Sequence, residues 1–142
     1  DTDFTPINSP SVGIPVINGE IEDRIAAQRF HHASVVSLPP TASVSQAFLD
    51  LTSNKGDVVF QEISTANDYL KTNPGSIRNA EPNNPIEIVG NTMVIPSGQP
   101  EFKEMLNTAL GEELNSGYID TLIQKYAPGD FYSVAKPYSL PQ

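Results

Sequence analysis

The sequence predicts an α/β fold, a three-layer lobe built on a mostly parallel sheet. Strand patterns alternate with helix patterns from residue 12 to residue 71, and this alternation is typical of parallel strands joined by right-handed crossovers. A chain of 142 residues without cysteine is long enough for one hydrophobic core and folds without disulfides. We expect an N-terminal arm over 1–11, an α/β domain over 12–96, a helix pair over 97–126 and an irregular tail over 127–142.

Three strands are expected to lie parallel in one sheet, over residues 12–17, 35–38 and 57–61. The first alternates apolar and other residues, and the last contains the β-branched and aromatic run typical of a strand covered on both faces. Pro15 has no N–H for the ladder, so the first strand is expected at an edge or with a bulge. Two shorter strands are expected over 86–89 and 92–95.

Helix patterns fill the intervals. Residues 20–29 predict a helix, and Ser43 and Ser64 are the expected N-caps of the next two. Pro100 suits the first turn of a longer helix, and Gly117 suits its left-handed end. That helix carries apolar residues at helical spacing that need a covering surface, among them Phe102, Met105, Leu106 and Leu110.

Charge and hydropathy exclude several classes of protein. The net charge is −9, from 17 acidic and 8 basic residues, which argues against binding to nucleic acid or to anionic lipid. No run approaches the roughly 20 apolar residues that span a bilayer, so we expect no membrane insertion. Residues 1–12 are polar and acidic, so we expect no signal peptide among them. If the protein is exported, we expect this to be its mature form or an excised piece.

The stretch Gly56-Asp57-Val58-Val59-Phe60-Gln61-Glu62 ends a predicted strand in a single carboxylate. It resembles the small-lobe signature of periplasmic amino-acid-binding proteins of ABC importers, the family 3 solute-binding proteins with the type II periplasmic-binding-protein fold. It also resembles the ligand core of ionotropic glutamate receptors, which carry Glu at the last position. The likeness covers about residues 12–126, and includes the turn at Asn18-Gly19, the stretch from Thr92 to Gly98 and the C-terminal helix pair.

The resemblance implies a receptor lobe that binds an amino acid or another small polar solute for an importer or a sensor. It implies a periplasmic or extracellular protein that is not an enzyme and needs no cofactor. The family's large lobe is missing or incomplete here, so its place is open to a separate large lobe or to a second copy of the chain. The alternative is a stand-alone interaction or sensor module that has kept the fold and lost ligand binding.

Glu62 is the first candidate ligand-binding residue, with Ser64 beside it. A carboxylate at the end of a parallel strand lies where open α/β sheets bind ligands, and it can accept charge-assisted hydrogen bonds from an amine. In the resembling family this position binds the α-amino group of the ligand. The alternative is an ordinary glutamate at a helix N-terminus, stabilised by the helix dipole.

The turn formed by Gly19, Glu20 and Ile21 is the second candidate. In the resembling family a glycine followed by Thr or Ser opens a helix whose N-terminal amides bind the α-carboxylate of the ligand. Here Glu20 and Ile21 stand where hydroxyls are usual, and Glu20 would repel a carboxylate or occupy the amide site itself. An ordinary helix start is therefore the alternative, and the ligand need not be a standard amino acid.

No metal site or catalytic site is expected. His31 and His32 are neighbours whose side chains should diverge, and cysteine is absent. The acidic pairs Glu22-Asp23 and Glu112-Glu113 are expected on solvated helix faces. No nucleophile elbow, phosphate-binding loop or zinc-protease motif occurs, so an enzyme has no support in the sequence.

Overall fold

The computed structural model describes residues 3–82 and 84–128. The chain divides into two compact units, Asp1–Ile86 and Glu87–Gln142. The first unit contains a short 3-10 helix (Thr5–Ile7), β1 (Gly13–Ile17), α1 (Ile21–Arg29), β2 (Ser34–Leu38), α2 (Val44–Thr52) and α3 (Ile63–Thr72). The second contains α4 (Pro100–Ser116) and α5 (Tyr118–Tyr126).

The α/β class and the parallel pairing of the first two strands are confirmed. β1 and β2 pair in parallel, with Gly13 opposite Ser34 and Ile17 opposite Leu38. The chain makes this connection through α1, which contacts β1. This is the strand–helix–strand unit that the alternation of sequence patterns predicts.

Helices cover both faces of β1. Ile14 and Val16 are fully or almost fully buried, and they form one cluster with Ile25 of α1 and with Phe30 and Phe60. Pro15 and Ile17 point to the opposite face, because successive strand residues alternate. α2 also contacts β1, and its buried apolar residues Ala47 and Phe48 lie outside the α1 cluster. The two helices therefore enclose the sheet as outer layers.

The third predicted strand, over 57–61, is wrong, and Pro15 supplies the reason. The Gly13 carbonyl accepts the N–H groups of Asp57 (2.7 Å) and Val58 (3.2 Å), so this extended segment begins beside β1. Alternate residues of a strand turn their backbone groups to the same side, so the next donor of β1 on this side would be residue 15. Proline has no N–H, and the ladder stops there.

The predicted strands over 86–89 and 92–95 are also wrong. Residues 86–95 form neither strand nor helix. Within the described parts of the chain, residues 88–98 make no backbone–backbone hydrogen bond. The side chains of Ile88 and Val94 are 80% and 93% exposed. A strand needs a hydrogen-bonded partner, and no described strand pairs with this segment.

The predicted helix ends are confirmed in part. Pro100 is the first residue of α4, and Gly117 adopts a left-handed conformation with φ of 77° between α4 and α5. Ser43 is the N-cap of α2 by position, although its side chain makes no capping hydrogen bond. The prediction for Ser64 is wrong, because α3 begins at Ile63 and its N-cap is Glu62. No helix in the described residues has the length and apolar character needed to cross a membrane.

In the second unit α4 and α5 contact each other. No residue of these two helices is buried, and Phe102 and Met105 are among the exposed large hydrophobic residues. The apolar stripe that the sequence predicts on α4 is therefore at least partly exposed and does not form a buried core.

Candidate functional site

A tight turn carries the chain from β1 into α1. The Glu20 N–H donates to the Ile17 carbonyl at 3.1 Å, which closes a β-turn over residues 17–20. Gly19 has φ of 86°, a value that L-residues with a side chain rarely adopt. Its N–H donates to Asp23 Oδ2 at 3.2 Å. Glycine and the Asp23 carboxylate therefore fix the place where α1 begins.

The two residues after Gly19 have different environments. Glu20 is exposed and is the N-cap of α1, yet its side chain makes no capping hydrogen bond. Ile21 is the first helical residue and packs against the buried cluster of the first unit. Glu20 therefore does not occupy the helix amides as the sequence allowed, and Ile21 has a packing role.

A well-anchored segment brings Glu62 to the same region. Asp57 Oδ2 accepts the Gly13 N–H at 2.7 Å, which attaches the start of the segment to the start of β1. Phe60 is buried, and its ring stacks on Phe30 with centroids 5.1 Å apart. Glu62 follows two residues later as the exposed N-cap of α3, without a side-chain capping hydrogen bond. Ser64 lies in the first turn of α3 and is partly buried.

Glu22 lies within electrostatic reach of two candidate residues, Glu20 and Glu62. Burial raises the pKa of the Glu22 carboxyl, and the negative charges of Glu20 and Glu62 raise it further, against a lowering hydrogen bond from its own backbone N–H. The carboxylates of Glu20 and Glu62 therefore each lie within electrostatic reach of Glu22, which is in the first turn of α1, just after β1. The prediction that Glu22 lies on a solvated helix face is wrong. One indication in the sequence that Glu22 is partly buried is its position in the first turn of the helix that follows the Gly19 turn.

This arrangement suits a positively charged group. Each carboxylate added to the cluster raises the cost of ionising Glu22, and a bound cation would remove that cost. Among the described residues no group of three or more His, Asp or Glu side chains has the geometry to hold a metal ion. An ammonium group needs only hydrogen-bond acceptors at ordinary distance, and carboxylates supply the strongest of these.

The His31-His32 pair differs from its predicted geometry. The two rings do not diverge: their centroids are 4.1 Å apart and their planes are inclined by 52°. Both residues are exposed, and the His32 N–H donates to Asn8 Oδ1 at 2.8 Å.

Sequence reasoning missed one concave surface, a groove of about 490 Å³ between α2 and α3. Phe48 and Tyr69 lie in it with ring centroids 4.6 Å apart. The remaining lining residues are Val44, Ser45, Leu49, Thr65, Asp68, Thr72 and Asn73. None of the predicted site residues lines this groove, so the carboxylate cluster and the groove are separate features.

Comparison with known proteins gives one solved structure of interest. No family model matches the chain, and no curated protein matches its sequence. The crystal structure of an ancestral cyclohexadienyl dehydratase is similar, with a TM-score of 0.45 and 22% sequence identity, over 86% of this chain and 49% of that chain. This chain thus spans about half the length of that protein. Similarity at this level transfers neither a substrate nor a residue role.

The comparison corrects one prediction. The sequence predicted that the chain is not an enzyme, and that prediction is wrong as stated, because the similar solved structure is that of a dehydratase, which is an enzyme. The predicted α/β lobe is confirmed by the fold. Membership of the amino-acid-binding family, transport and export are not shown by this similarity.

Proposed function

We propose that this chain is the ligand-binding lobe of an extracytoplasmic receptor for a small polar solute such as an amino acid, serving an ABC importer or a sensor. The observation that carries the proposal is that two exposed carboxylates, those of Glu20 and Glu62, both act electrostatically on the partly buried Glu22, which follows the carboxyl end of β1. Ligands of open α/β sheets bind at this end of the strands. The exposed carboxylate of Glu62 is the primary contact for the solute.

The solute's amino group would bind between Glu62 and Glu22. Ionised Glu22 is disfavoured by partial burial and by the two neighbouring negative charges. A bound ammonium group supplies the opposite charge, which favours the ionised form and adds charge-assisted hydrogen bonds. Binding and ionisation of Glu22 therefore support each other.

A carboxylate group on the solute would bind less favourably than the amino group. The first-turn amides of α1 point where an anion could bind, and the Glu20 side chain makes no capping hydrogen bond with them. The Glu20 charge nevertheless repels an incoming carboxylate. The site therefore favours solutes of net positive charge over acidic ones.

The other wall of the site must come from elsewhere. Glu20 and Glu62 are exposed in this lobe, and receptors of small solutes enclose most of the ligand surface. A second lobe or a second chain would supply that wall.

The second candidate function is an interaction or sensor module without a ligand. Under it, Glu20 acts only as a helix N-cap. The position of Glu20, where the resembling family carries a hydroxyl, favours this candidate.

Thermal unfolding with a panel of amino acids tests the proposal. A bound solute stabilises the folded state by mass action, so lysine, arginine or another cationic solute should raise Tm in proportion to the logarithm of its concentration. The variant Glu62→Gln should abolish that shift, and Glu112→Gln, an exposed change on α4, should keep it.

Two results contradict the proposal. No shift with any solute would favour the module without a ligand. A shift that Glu62→Gln leaves unchanged would place binding at another site, and the groove between α2 and α3 would then be the next region to examine.

A further inference from the structure

Residues 88–98 combine two properties that rarely remain together on a protein surface. Their backbone makes no backbone–backbone hydrogen bond within the described chain, and four large apolar side chains among them are about half exposed or more. These side chains are Ile88, Val89, Met93 and Val94. Residues 88–95 contain no proline and are rich in β-branched residues, a composition that favours a strand.

The same chain carries an unpaired sheet edge. β2 (Ser34–Leu38) pairs with β1 on one side, and the described sheet has only these two strands. The outer side of β2 therefore presents N–H and C=O groups without a strand partner, and Val35 on it is 42% exposed. An open edge of this kind is a template for an added strand. Two strands are also fewer than a sheet normally needs for stability.

The distribution of charge allows a second copy of this chain to be the partner. The chain has a net charge of −9, so two copies repel each other over most of their surface. Residues 88–98 and Ser34–Leu38 contain no charged residue. A second copy can therefore bring one of these segments against the other without placing carboxylate against carboxylate.

We propose that residues 88–95 add as a strand to the outer edge of β2 in a second copy of this chain. The second copy returns the same contact, so the dimer is closed by a twofold axis and each copy both gives and receives a strand. Backbone hydrogen bonds supply the affinity, as in other cases of strand addition, and burial of Ile88, Met93 and Val94 adds to it.

Sedimentation velocity over a dilution series tests the proposal on the whole chain. Wild type should show a concentration-dependent equilibrium between monomer and dimer. Val94→Pro removes an N–H and Val94→Lys adds a charge at a side chain that is 93% exposed, so neither disturbs packing within one copy. Both should shift the protein to monomer at every concentration.

Met105→Lys is the matched control. Met105 is an exposed apolar residue on α4, 59% exposed, and lies outside the proposed contact. This variant should dimerise as the wild type does. Both lysine variants make the chain less negative, so added repulsion between copies cannot explain the loss of the dimer in Val94→Lys.

Hydrogen exchange separates strand pairing from side-chain contact. Amides of residues 88–95 and Ser34–Leu38 should gain protection as protein concentration rises, and Val94→Pro should remove that gain in both segments.

Three results overturn the proposal. The first is a wild type that is monomeric at all concentrations. The second is a dimer that survives Val94→Pro. The third is a dimer that Leu106→Glu on α4 dissociates while Val94→Lys does not, which would place the interface on the helix pair.

Discussion

The contact between Gly56 and Pro15 allows a quantitative prediction for Gly56→Ala. Gly56 is buried beside β1, and a Cβ atom there would overlap Cγ and Cδ of the Pro15 ring and lie 3.4 Å from the Gly13 carbonyl oxygen. Pro15 is itself fully buried, and its ring cannot rotate away as a flexible side chain would. Overpacking a core costs about 1–3 kcal/mol, and we expect the upper half of that range.

Urea unfolding followed by circular dichroism measures this loss of stability. The control is the same change made together with Pro15→Ala, which removes the two ring atoms that the new methyl group overlaps. Gly56→Ala should cost about 1 kcal/mol less in that background, a coupling energy of the size found for residues in contact. An equal cost in both backgrounds would refute the steric explanation.

Three further predictions concern pH, the core and metal dependence. Ionised Glu22 opposes folding, because burial and the charges of Glu20 and Glu62 raise its pKa above the ordinary value of 4.5. The stability of the wild type should therefore fall as pH rises through the interval from 4.5 to the raised pKa. Urea unfolding of Glu22→Gln should show higher stability than the wild type above that interval and a weaker pH dependence within it. Phe60→Ala should destabilise the first unit by about 3–5 kcal/mol, whereas Phe102→Ala, at a position that is 39% exposed, should cost much less; equal losses in urea unfolding would contradict the assigned core. Addition of a chelator should leave the circular dichroism spectrum unchanged, and a loss of helical signal would reveal a metal that supports the fold.

Local patterns in the sequence were sufficient for the elements that depend on local interactions. The alternation of residues 12–17 predicts β1, and the turn at Gly19 predicts the start of α1. The tolerance of glycine for the left-handed conformation predicts the break between α4 and α5 at Gly117. The third strand could not be predicted in the same way. Its apolar composition is right for a strand, but a ladder also needs donors on the neighbouring strand, and Pro15 lacks one.

In the candidate site too, some features follow from local sequence patterns and others depend on tertiary packing. Glu62 is predicted as a candidate from its position after an apolar run, and Glu20 from its position after the glycine turn. Glu22 could not be predicted, because its partial burial and the influence of the Glu62 charge both arise from tertiary packing. Periodicity likewise predicts that α4 has an apolar face, as it does, but not the surface against which such a face packs.

The hydrogen bond between Asp57 and Gly13 has a consequence for the order of folding. It joins residues 44 positions apart, and the chain between them contains α1, β2 and α2. Closing a loop of this length costs conformational entropy before any contact across it is gained. We therefore expect the start of β1 to obtain its partners at Asp57 and Val58 late in folding, after the enclosed helices have brought the two ends together. Topology, rather than the rate at which individual helices form, is then expected to limit how fast the first unit folds.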